Sequence, residues 1–275
     1  MAEHEAVFGA SGARILEYGK QVDFGKTAAD YGRWRAGYPD ELYRRLAAFG
    51  IGVAGQRILD LATGTGFLGR GFARRGCAVA ALDISLPLMS EARRLDSEEG
   101  LAMNYVRAQA ESLPWRAAVF DVVSAGQSWH WFERATVARE ARRVLRRGGW
   151  LVIAHFDWIP LAGNVVEATE QLIMRHNPAW RLGGGLGIHP AFTRDVGLAG
   201  FVDIETFSFD VTVPYTHDGW RGRIRASAGI GGQLPPAQVA AFDAEHAALL
   251  KARFPQDPLA VLHRAFAIVC RASRD

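Results

Sequence analysis

The hydrophobic positions run in short blocks whose period changes along the chain, and the changes lay out alternating strands and helices. Arg57-Ile58-Leu59-Asp60-Leu61 is a brief apolar run closed by a glycine-rich turn, and it reads as a buried strand. A helix is expected from about Phe67 to Arg75, stopping at Gly76, the residue type a helix C-terminus favours. Ala78 to Leu82, ending at Asp83, predicts a second strand, Leu86 to Leu95 a helix, and Met103 to Arg107 a third strand. Val119 to Val123 predicts a fourth strand. The helix Glu133 to Leu145 then ends at the Arg146-Arg147-Gly148-Gly149 turn, and Trp150 to Ala154 makes a fifth strand. Strands alternating with helices imply a parallel sheet covered on both faces.

The flanks are less regular. Residues 1–55 read as short helices and loops, with one helix entered through Pro39-Asp40 and running to about Phe49. Residues 157–190, rich in Gly, Trp and His, are expected to form a lid. Ala191 to Leu198 predicts a helix, Phe201 to Val213 a long strand, Ala237 to Phe254 a helix and Leu259 to Cys270 a final strand. The expected fold is α/β and doubly wound. It has a mostly parallel seven-stranded sheet, a C-terminal antiparallel edge hairpin, a helical N-terminal segment and a lid insertion after strand five.

Composition narrows the function classes. A hydrophobic fraction of 49% with 22% charged residues suits a globular chain of 275 residues. The net charge is only +3, and no dense Lys/Arg tract appears, which argues against nucleic acid. Arg142, Arg143, Arg146 and Arg147 suit the charged end of a helix. Cys77 and Cys270 lack CxxC spacing and make no disulfide framework, so no metal site is expected and a reducing compartment fits. The acidic start Met1-Ala2-Glu3-His4-Glu5 is no secretory signal, and no run of about 18 apolar residues could span a membrane. A cytoplasmic protein is expected.

The chemistry concentrates in Asp60-Leu61-Ala62-Thr63-Gly64-Thr65-Gly66-Phe67-Leu68-Gly69, which contains GxGxxG as Gly64, Gly66 and Gly69. Dinucleotide dehydrogenases use the same glycines to approach a pyrophosphate at a helix N-terminus. A carboxylate heading the loop would repel phosphates. Asp60 stands four residues before Gly64, and it suits a ligand that carries an ammonium and a sulfonium instead.

This loop resembles the DxGxGxG motif of class I S-adenosylmethionine-dependent methyltransferases, with Ala62 in place of the first Gly. The resemblance covers about residues 25 to 156. It implies S-adenosylmethionine as methyl donor, S-adenosylhomocysteine as product, and donor contacts at Asp60, Ala62, Gly64 and Gly66. It also implies that Asp83 meets the ribose hydroxyls, with Ile84 and Leu88 beside the adenine. Gln109-Ala110-Glu111 stands where the family has D-A-E, and Gln109 replaces the Asp that meets the adenine amino group. Tyr31 to Pro39 resembles the family's Y-x-x-x-R-x-G-Y-P run, which implies Arg35, helped by Tyr31, at the donor's carboxylate. Bland readings stand beside these: Asp83 as a helix cap, Glu111 as a surface residue, Arg35 as a stem packed on the sheet edge.

Ligands of open α/β sheets lie off the carboxyl ends of the strands. The segment Gln127-Ser128-Trp129-His130-Trp131-Phe132 follows strand four and resembles the Q-x-x-H-W-F signature of a small-molecule subgroup, with Gln127 on the donor side. Trp129 and Trp131, with Trp34, Tyr38 and Trp158, are expected to wall an apolar acceptor pocket. An N-P-P-Y run, a placed nucleophilic Cys and paired glutamates are missing from the corresponding positions, which leaves a small organic acceptor. Direct in-line transfer needs mainly placement and exclusion of water. A base would be His130 first, His155 second, and His176 or His189 after them; His130 as a purely structural residue is an equal alternative. The chain divides into a cap (1–55), a Rossmann-like donor-binding core (56–156), a lid or substrate insertion (157–190) and C-terminal elements completing the same domain (191–275). No motif speaks to oligomeric state. The competing readings are an NAD(P)-dependent oxidoreductase and a non-catalytic cofactor-binding protein.

Overall fold

The computed structural model describes residues 19–273. Its strands are β1 (Arg57–Leu61), β2 (Ala78–Asp83), β3 (Asn104–Arg107), β4 (Phe120–Gly126), β5 (Leu145–Trp158), β6 (Phe201–Tyr215) and β7 (Leu259–Ala272). They form a seven-stranded sheet in the order β3-β2-β1-β4-β5-β7-β6. β1 to β5 pair in parallel, and β7 runs antiparallel to both β5 and β6. The helices are α1 (Ala28–Trp34), α2 (Asp40–Ala48), α3 (Phe67–Ala73), α4 (Leu86–Glu98), α5 (Arg134–Val144), α6 (Val165–His176), α7 (Ala191–Leu198), α8 (His217–Arg225) and α9 (Pro236–Arg253).

Alternate residues of the central strands enter opposite core clusters. Leu59, Val123 and Ile153 face one side with Trp129 and Val137; Ile58, Val122 and Val152 face the other with Leu42, Leu46 and Phe72. Both faces are therefore dry, as a parallel sheet requires. β1 has β2 on one side and β4 on the other. That reversal of strand order opens a crevice beyond their carboxyl ends, the usual ligand position in this architecture.

One expectation needs correction. The stretch 157–190 is not a free lid throughout. Asp157 and Trp158 end β5, and α6 follows. Val165, Val166, Leu172 and Ile173 of α6 are buried with Trp220, Ile224 and Phe242 in a third cluster. The Gly and Trp content of the segment hid this helical spacing. The last two strands pair antiparallel at the sheet edge as expected, with α8 and α9 between them.

Candidate active site

The glycine turn lies between β1 and α3 and is fastened from below. Asp60 is 1% exposed. It accepts hydrogen bonds from the Thr63 hydroxyl at 2.6 Å and the Ser124 hydroxyl at 2.7 Å, and one from the Gly69 backbone. Burial nevertheless lifts its carboxyl to about 6. Asp60 thus ties β1, β4 and α3 together, and its negative charge reaches the crevice through space, not through a free oxygen. Glycine at 69 suits this close approach, because a Cβ would stand 3.0 Å from the Asp60 carboxylate.

The turn itself is strained at one point and open at another. Ala62 has φ +46°, a left-handed conformation that costs a Cβ-bearing residue about 1 kcal/mol. Gly64, at φ +57°, has nothing within 4 Å of where a Cβ would be, so its backbone borders empty space. The buried Thr65 hydroxyl oxygen has no hydrogen-bond partner. Buried polar atoms rarely stay unpaired, so this part of the cradle is shaped to receive something.

Asp83, at the end of β2, accepts from Gly64 N and Ser85 N, both at 2.8 Å. Burial raises its pKa. Each carboxylate oxygen keeps a second lone pair, so holding the turn does not prevent a contact with hydroxyls. Beside it Ile84 is 63% exposed, and Leu88 is buried. Gln109 is exposed and Ala110 buried. Glu111 receives the backbone N–H of Glu133 at 3.1 Å, a tie at the start of α5.

Across the crevice, Tyr31 and Arg35 form a unit. The guanidinium donates to the Tyr31 hydroxyl and lies 4.8 Å over its ring. Tyr38 donates to the Ala154 carbonyl at 3.1 Å, which pins this segment over the end of β5. Gln127, at φ +57°, receives no ligand-facing role from its contacts: its amide donates to the Phe156 carbonyl and to Asp157.

The tryptophans separate. Trp129 is fully buried in the core and donates to Asp195 at 3.2 Å, so it supports the site from behind and is corrected from the pocket wall. Trp34 packs on α8, where a Cβ on Gly222 would come within 2.2 Å of its ring. Trp131 meets Phe24 edge to face, with centroids 5.9 Å apart. Trp158 donates to Glu170 at 2.8 Å and leaves a ring face for Arg223.

The histidines converge. His155 lies inside β5, not past it, and therefore shares a face with Asp157 two residues on. The His189 Nε2–H donates to the Asp157 carboxylate at 2.8 Å, and the His155 and His189 rings stand 3.9 Å apart. His155 Nδ1 is 3.6 Å from Asp157, too far for a full hydrogen bond, and its Nε2 is buried without a partner. The His130 ring lies 5.5 Å from that of His155. Burial, then the neighbouring histidine, lowers the pKa of both His130 and His155. Both are neutral near pH 7. Burial alone would raise Asp157, but the close approach of His155 and the hydrogen bond from His189 outweigh it and hold the carboxyl well below its usual range. His155, Asp157 and His189 offer ligand atoms within 4.8 Å of one another, a spacing that could also take a divalent ion. His176 instead bonds Glu245 at the surface and is not part of the group.

Sequence reasoning missed Asp157 and Arg223. The first carries an H-x-D signal, legible only if the strand is known to extend to 158. The second lies on α8, some 65 residues beyond β5 in a helix that no pattern reading picked out. A cleft of about 460 Å³ between Asn164, Arg253 and Ala260 contains none of the site residues.

Residues 59–153 match a family model described as a methyltransferase domain. A demethylmenaquinone methyltransferase from Thermus thermophilus is 35% identical over 146 residues, 52% of this chain and 58% of that protein. The chain spans 59% of the length of the first curated relatives it matches. An Anaeromyxobacter dehalogenans protein assigned as a type II methyltransferase superposes with a TM-score of 0.58 at 22% identity, covering 87% of this chain and 98% of that one. A Haemonchus contortus phosphoethanolamine N-methyltransferase, solved with S-adenosyl-L-methionine, does so with a TM-score of 0.53 at 18% identity, covering 91% and 56%. At these identities the structural likeness speaks for the fold.

Proposed function

Residues 59–153 match a methyltransferase-domain model and the fold is shared with solved methyltransferases, and from this we propose that the protein is an S-adenosylmethionine-dependent methyltransferase acting on a small organic acceptor in the cytoplasm. Among the described residues no helix is long and apolar enough to cross a membrane.

The observation that carries this reading is the Asp83–Gly64 pairing beside exposed Ile84. It presents a carboxylate, an open backbone and an apolar plate side by side, which fits a ribose and an adenine. The unpartnered Thr65 hydroxyl and the empty space at Gly64 fit the same ligand. S-adenosylmethionine, when bound, supplies a methyl group already activated on a positively charged sulfur. Asp60 and Asp83 place two buried carboxylates around that position, a charge that a diphosphate would meet as repulsion, so a nicotinamide oxidoreductase fits the turn poorly. Arg35 brings a guanidinium for a carboxylate, already oriented by Tyr31.

On the acceptor side the residues mainly position and dry. Tyr38 and the His130–His155–His189 group close the ends of β4 and β5. Neutral His130, whose ring has no hydrogen-bond partner among the described residues, can accept a proton from a hydroxyl or amine acceptor, though burial makes it a weak base. Calorimetry with S-adenosylhomocysteine and with NADH tests the reading. Micromolar or tighter binding of the first and none of the second is expected; the reverse would end it.

A further inference from the structure

We propose that the acceptor is a small organic carboxylate, and that Arg223 holds its carboxylate group. This rests on the methyltransferase reading and names the substrate class for the same site. Arg223 lies on α8 and is 8% exposed. Its guanidinium sits 4.6 Å over the Trp158 ring. No acid and no hydrogen-bond acceptor meets it among the described residues. The arginines on either side behave otherwise: Arg221 and Arg225 both pair with Asp243, and Arg225 also with Asp30. A helix that finds acids for its outer arginines and leaves the buried one unpaired has kept that cation for a ligand, because a buried charge without a partner is strongly disfavoured.

The surroundings place it at the acceptor. Trp158 ends β5, at the same end of the sheet as His155 and Asp157. Burial, and then the charge of Arg35, press the Arg223 guanidinium down to about 10, so the two cations sense each other. Asp157 is the nearby acid, and it is already engaged by Gln127 and His189. Tyr215 is near as well, its hydroxyl fixed by the Ala36 N–H at 3.1 Å. Two uncompensated guanidiniums ask for two anions. The donor's own carboxylate answers Arg35. The second must come with the acceptor, and the planar fork on an indole face suits a carboxylate bound through both oxygens.

The test uses the full chain saturated with S-adenosylhomocysteine, whose affinity is measured first. Calorimetry then compares benzoate, phenylacetate and hexanoate with their uncharged amides. At least one acid should bind at least tenfold tighter than its amide, and R223Q should remove the difference while leaving S-adenosylhomocysteine affinity within about threefold. Equal binding of acids and amides, no binding of any, a preference that survives R223Q, or binding of inorganic phosphate in place of the acids would overturn the proposal. If S-adenosylhomocysteine itself fails to bind, the methyltransferase reading has failed first. Melting of the ligand-free protein gives a second readout. Removing an unpaired buried cation with R223M should raise the midpoint by about 2–5 °C. A fall of similar size would mean that Arg223 merely supports the fold.

Discussion

The two halves of the crevice are built from opposite charges and by opposite means. Off β1 and β2 stand Asp60 and Asp83, both buried and both tied to neighbouring backbone or hydroxyl donors. Off β4 and β5 stand three histidines and Arg223, with Asp157 as the acid among them. The first half comes from one stretch of about 25 residues. The second is assembled from the turn after β4, the end of β5, the segment before α7, and α8. On the proposed reading, the donor is met by a contiguous motif and the acceptor by side chains brought together from afar.

The comparison can be broken hardest from the acceptor side. His130→Ala should lower turnover by about 10²-fold while S-adenosylhomocysteine affinity stays within about threefold, since a base contributes roughly 10² to 10⁴. Unchanged turnover would return His130 to structure. On the donor side Asp83→Ala should weaken S-adenosylhomocysteine at least tenfold, about 1.4 kcal/mol or more, with the fold retained as judged by circular dichroism. If affinity holds, Asp83 only fastens Gly64 and caps the turn to α4.

The donor half should also carry a pH signature. Burial raises the Asp60 carboxyl to about 6. Relative to the unfolded chain this favours the protonated native state: the stabilising contribution is complete below the unfolded value near 3.9 and is lost as pH rises through about 6. At neutral pH the charge is present and waiting for a cation. S-adenosylmethionine affinity should therefore fall several-fold as pH drops from 7 to 5. S-adenosylhomocysteine, which lacks the positive sulfur, should change less. Asp60→Asn should flatten the difference, and a difference that persists in the variant would relieve Asp60 of the role.

The contrast also explains what could be read from the chain. The five parallel strands, the glycine turn, Asp83 and the helix Ala191–Leu198 follow from local pattern, because each is decided within a dozen residues. The extension of β5 to Trp158 does not, because the residues past Ala154 are held by pairing with β7, over 100 residues later. That extension alone turns His155 and Asp157 into neighbours. Trp129 was misplaced because an aromatic cluster looks the same whether it walls a pocket or fills a core; only its contact with Asp195 on α7 decides. Arg223 carries no local signal at all, since its meaning is the acid it lacks.

The smallest effect concerns the one departure of the glycine turn from the family pattern. Ala62 adopts φ +46°, where its Cβ crowds its own backbone and where glycine would be at ease. Ala62→Gly removes that strain, worth about 1 kcal/mol, but gives the unfolded chain more freedom, which takes back roughly 0.4–1 kcal/mol. Stability should thus rise by only a few tenths of a kcal/mol or stay level, read as a shift of the denaturant midpoint at constant m-value. Donor affinity should be equally indifferent, because Thr63 N is still held by the Leu82 carbonyl at 2.9 Å and Gly66 N by Thr63 at 2.8 Å, and these bonds, not the residue at 62, set the turn. A loss of more than about 1 kcal/mol would mean that the Ala62 methyl, packed against the core, holds the donor half in shape.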